Sequence, residues 1–131
     1  MKNLMKLLIK REEWFEDIAI DIGNRYLALL DEKTISSTFE LWENGAISLA
    51  DINLNNVIMD VLLENDVAEE FRVEKYPKSF NRLRENITTY VDDMLRDEGW
   101  KIGKDENGVL VLGPETSDKI FPVKWVARCK C

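Results

Sequence analysis

The amino-acid sequence predicts an α+β fold: three to four helices followed by a C-terminal three-stranded antiparallel sheet. Three observations carry that expectation. Apolar residues recur at the 3.6-residue helical period in successive segments up to about residue 98. Past Gly99 the period changes to two, as a strand requires. Two apolar runs there flank Asp105, Glu106, Asn107 and Gly108, which is the composition of a hairpin turn. Helices first and strands last is the segregated order of α+β domains. The 131 residues suit a single domain, 1–131.

The first helix is most secure over 12–32. Lys2, Lys6, Lys10, Glu13, Asp17, Asp21 and Asn24 form a polar stripe at steps of three and four. Leu4, Leu8, Trp14, Phe15, Ile18, Ile22, Tyr26, Leu29 and Leu30 fill the remaining faces. Ser37 and Glu40 then have the spacing of a capping box, so a short helix is expected over 38–43, stopped by Asn44 and Gly45. Asp51 or Asn53 caps a third helix containing Leu54, Val57, Ile58, Val61 and Leu62. Asn65 and Asp66 end or bend it, and 67–71 adds a further turn.

Tyr76 precedes Pro77 and so avoids the helical region, which sets a boundary there. A helix follows over 78–98, with Phe80, Leu83, Ile87, Tyr90, Val91 and Met94 on one face. The strands 100–104 and 109–112 come next. A four-residue loop, 105–108, pairs Ile102 with Val111 and lines Trp100, Ile102, Val109 and Val111 on one face. The third strand lies in 119–131, where Val123, Trp125, Ala127 and Cys129 alternate with more polar positions. Pro122 places it at a strand start or an edge.

Composition excludes several kinds of chemistry. The chain has no histidine, so it holds no Ser-His-Asp or Cys-His pair and no zinc–imidazole site. Carboxylate pairs such as Asp17/Asp21 and Asp92/Asp93 fall mostly on the solvent stripes of helices. No nucleotide-binding glycine loop or metalloprotease motif is present. The two cysteines, Cys129 and Cys131, lack a third ligand and read as reduced thiols. The expectation is a protein that is not an enzyme and uses no metal or cofactor. The first eleven residues are interrupted by Lys2, Lys6 and Lys10, and no apolar run approaches a signal peptide or a membrane span. A cytoplasmic location is expected.

The net charge of −7 is unevenly distributed. Residues 1–33 carry six basic and seven acidic side chains, and residues 76–131 carry ten and nine. Residues 34–75 carry two and nine, so the whole excess lies in the middle. A local acidic face suits a basic protein partner, because complementary charge speeds encounter and rejects wrong partners. Asp60, Glu64, Glu69, Glu70 and Glu74 are the residues expected to meet partner lysines and arginines, with Trp42 or Phe71 as anchors. Proteins that process nucleic acids are commonly basic because they must attract phosphate. The sequence is therefore read as a small acidic protein-binding module that inhibits a nucleic-acid-processing enzyme. Such a module would be of the immunity-protein or phage anti-defence (anti-CRISPR) type. The plain counter-reading is an acidic surface that only confers solubility.

The alternative is a winged-helix DNA-binding regulator, built from helix 78–98 and hairpin 100–112. Lys78, Arg82, Arg84, Lys101 and Lys104 would face the DNA. Asp92, Asp93, Asp97 and Glu98 on the same helix oppose that reading.

Overall fold

The computed structural model describes residues 2–66, 71 and 75–122. In chain order these form α1 (Lys2–Ser36), α2 (Thr38–Asn44), β1 (Ile47–Ser48), α3 (Leu54–Glu64), α4 (Pro77–Asp97), β2 (Trp100–Lys104), β3 (Leu110–Pro114) and β4 (Phe121–Pro122). The α+β class stands, with four helices preceding the antiparallel strands β2, β3 and β4. The short strand β1 adds a fourth member between the helices, giving the sheet order β1-β3-β2-β4. Most of the third expected strand, 123–131, lies outside the described residues.

The stripe on α1 buries Phe15, Ile18, Ala19, Ile22, Tyr26 and Leu30. Against it pack Phe80, Leu83, Ile87 and Val91 of α4 and the whole apolar stripe of α3. Ile102 of β2 and Leu112 of β3 close the core from the sheet side. Asn53 caps α3, its side chain accepting the Asn55 N–H at 2.8 Å. Pro77 occupies the first turn of α4, where its missing N–H costs nothing.

Two local expectations need correction. The capping box at Ser37 does not form. The Ser37 N–H still donates to Lys33 O of α1, and Glu40 turns away to accept the Ser48 N–H at 3.2 Å. The hairpin register also differs by one residue: Ile102 pairs with Leu112 and Gly103 with Val111. The cause is in the turn. The Asp105 carboxylate accepts the N–H groups of both Asn107 and Val109 at 2.9 Å. Gly108 takes φ +79°, which side chains resist. This is a three-residue loop closed by an Asp105–Val109 pair. A one-residue slip exchanges the faces of a strand. Leu110 and Leu112 therefore face the core, while Val111 turns to the opposite side and Val109 is partly exposed.

That opposite side of the sheet is covered by the segment between β3 and β4. Ile120 is buried over Gly103 and Gly113, where an added Cβ would lie 2.3 and 2.5 Å from it. Lys101 Nζ holds the segment by donating to Ser117 O at 2.7 Å. Among the described residues, no helix is long and apolar enough to cross a membrane.

Candidate functional site

The expected acidic face divides once the fold is known. Asp60 and Glu64 lie exposed on α3, which packs on α1. Glu64 is paired with Arg25 Nη2 at 2.6 Å. That hydrogen bond holds its carboxyl below the usual range. Lys33 does the same to Asp51 at 2.8 Å. Glu69, Glu70 and Glu74 lie outside the described residues.

The two expected anchors separate completely. Phe71 is only 5% exposed and packs against Trp14 and Phe15, with ring centroids 5.9 and 6.0 Å away. It is a core residue, and its role as a docking anchor is withdrawn. The apolar surroundings it needs are supplied inside the molecule. Trp42 is 82% exposed on α2, as is Phe39, three residues before it. Residues three apart share a helix face. Ile35, in the last turn of α1, is 73% exposed next to them. No residue of α2 is buried.

Beside this aromatic crest runs a groove of about 590 Å³ between α2 and the outer side of the sheet. Glu40 and Glu43 line it from α2, Asp105 and Glu106 from the hairpin turn, and Asp118 from the segment before β4. Among the described residues, Lys119 is the one cation in its lining; Val111 and Phe121 supply apolar wall. Among the described residues, no three acidic or sulfur-bearing side chains converge as metal ligands would. The groove thus presents negative charge along a surface rather than at a point.

Sequence reasoning singled out Trp42, which is exposed, but did not single out Phe39 or the groove. The signal for Phe39 was present: it stands at helical spacing from Trp42, in a helix too short to bury both. The groove had no local signal. It exists because β1 pairs with β3, Ile47 opposite Leu112, and so brings α2 alongside the hairpin. A two-residue strand leaves no periodicity to read.

The five basic residues of the DNA-binding reading are placed differently from one another. Lys78 and Lys104 are exposed. The Arg82 guanidinium lies 4.9 Å from the centre of the Phe15 ring. Arg84 is half-buried, donates to Asn55 Oδ1 at 2.9 Å, and is held below its ordinary pKa by burial. Lys101 is committed to Ser117 O. Three of the five, Arg82, Arg84 and Lys101, therefore serve internal contacts of the fold.

Comparison with protein-family models, with curated protein sequences and with solved structures finds no match to this chain.

Proposed function

We propose that this chain is a protein-binding module, and that it inhibits a basic, nucleic-acid-processing enzyme through an acidic docking surface. The observation that carries this reading is α2. A helix with no buried residue and two aromatic side chains 82% exposed contributes little to the fold. Exposed apolar patches of this kind mark interaction sites more often than scattered single residues do. The carboxylate-lined groove beside it supplies the sign of the partner's charge.

Inhibition follows from geometry without catalysis. A protein that occupies the cationic groove of a nuclease or a related complex removes the surface that phosphates need. The acidic side chains compete by charge, and the aromatic crest supplies desolvated contact that salt does not screen.

The test is capture from native lysate with the wild-type chain, the Trp42→Ala variant and the Glu69→Lys/Glu70→Lys double variant. The captured enzyme is then assayed on its nucleic-acid substrate. Supporting results are a basic partner retained by wild type, weakened by both variants and by salt, and slowed when the protein is added. A captured enzyme whose activity is unchanged at saturation would refute inhibition.

A further inference from the structure

We propose that the crest of α2 and the groove beside it form one receptor for a basic amphipathic helix of the partner protein. This rests on the protein-binding reading above and names the element that is bound.

The argument begins with what α2 offers. Phe39 and Trp42 make the outer face, and Glu40 and Glu43 the flank that enters the groove. At 100° per residue, Glu43 stands between Phe39 and Glu40 around the helix. One partner surface laid on α2 therefore meets apolar side chains first and carboxylates beside them. The matching surface has apolar residues on one face and lysines or arginines along its margin. A basic amphipathic helix carries that pattern at fixed spacing.

Two other occupants fit less well. On the edge of the sheet beside α2, an added β-strand would have to pair with β1, which is only two residues long, and the Ser48 N–H is already taken by Glu40. A second copy of this chain would bring its own groove carboxylates against these, and like charges facing across an interface oppose association. The chain is acidic overall, so self-association adds repulsion at longer range as well.

The test uses defined peptides. The first is a 14-residue Leu/Lys helix with its leucines on one face. The others are a scrambled peptide of the same composition and an all-lysine peptide of the same length. Binding is followed by titration calorimetry and by tryptophan emission, since covering Trp42 shifts it to the blue. The amphipathic peptide should bind at least about tenfold more tightly than either control. Phe39→Ala should cost about tenfold, and Glu43→Lys with Asp118→Lys a further tenfold that high salt removes. Far-UV dichroism checks that each variant stays folded, and α2 buries nothing whose loss would unfold it.

Equal affinity for all three peptides, or affinity indifferent to Phe39 and Glu43, would overturn the proposal. So would a wild-type dimer in sedimentation equilibrium that Phe39→Ala dissociates, because the crest would then be occupied by a second copy. If the peptide fails while lysate capture still depends on Trp42, the receptor is wrong and the binding function survives. If capture also fails, both fall.

Discussion

Helices α2 and α3 come from the same acidic stretch of chain and use their apolar residues in opposite ways. In α3, Leu54, Val57, Ile58, Val61 and Leu62 are all buried. In α2, Phe39 and Trp42 stand in solvent and nothing is buried. The difference is periodicity with length. Three turns of α3 present a complete stripe to α1, whereas two turns of α2 present a pair of aromatics with no surface opposite them. Burial stabilises by roughly 25 cal/mol per Å² of apolar area removed from water. That stabilisation is available in full to α3 and reaches α2 only through the partly buried Leu41. One helix spends its apolar residues in the core and the other exposes its two aromatics.

The largest effect that tests this contrast is truncation in α3. Leu62→Ala and Ile58→Ala remove fully buried side chains from the centre of the core. Each should lower unfolding free energy by about 2–5 kcal/mol, read from urea denaturation. A cost below about 1 kcal/mol would mean that α3 is no more part of the core than α2.

The core beneath α3 carries a titratable weak point. Tyr26 is buried, and its hydroxyl has no hydrogen-bond partner among the described residues. Burial, chiefly, pushes its pKa up from 10.0 to about 12. A raised folded-state pKa contributes stability that is complete below pH 10 and lost as pH climbs through 12. The loss for full ionisation is on the order of 2–3 kcal/mol. Tyr26→Phe should remove this alkaline limb while leaving neutral-pH stability nearly unchanged. An unaltered alkaline unfolding curve would show that another group governs it.

On the far side of the sheet, Gly103→Ala should cost about 1–3 kcal/mol. Its added carbon would meet both Ile120 and the Phe121 backbone at 2.3 Å. The affected segment carries Asp118 and Lys119, so the groove should loosen with it. Thermal unfolding with peptide titration separates the two consequences.

The smallest effect is at the α3 surface. Glu64 and Arg25 are both well exposed, and such pairs contribute little. Glu64→Gln should leave the urea midpoint at neutral pH unchanged within error. Its depressed pKa means that whatever the pair contributes is present above the ordinary carboxylate range and fades as pH falls below it. A clear midpoint shift at pH 7 would give the α3 surface a structural role denied to it here.

The sequence was legible wherever a period ran long enough. The stripe of α3, most of those of α1 and α4, the Asn53 cap and the Gly99 boundary are where hydrophobic spacing and capping chemistry put them; Leu29 of α1 and Met94 of α4 are exposed instead. The hairpin was legible as a hairpin but not in register. Its register depends on one carboxylate accepting two N–H groups, and composition does not reveal that. Phe71 looked like a surface aromatic within an acidic run. Its burial against Trp14 and Phe15 is a long-range contact that its neighbours in sequence do not encode. The acidic excess of residues 34–75 does not gather on one face: Asp60 and Glu64 lie on α3, while Glu40 and Glu43 line the groove. Among the described residues, three of the groove's five carboxylates come from outside that stretch, because β1 joins the sheet beside the hairpin.

The central claim is that α2 is a docking element and not a structural one. The most direct test is a paired measurement on the Phe39→Ala/Trp42→Ala double variant. Urea unfolding gives its stability, and calorimetry gives its affinity for the partner captured by the wild-type chain. Stability should stay within about 0.5 kcal/mol of wild type, as for other surface changes, while affinity falls about a hundredfold. A loss of more than about 2 kcal/mol in stability, or an unchanged affinity, would contradict the claim.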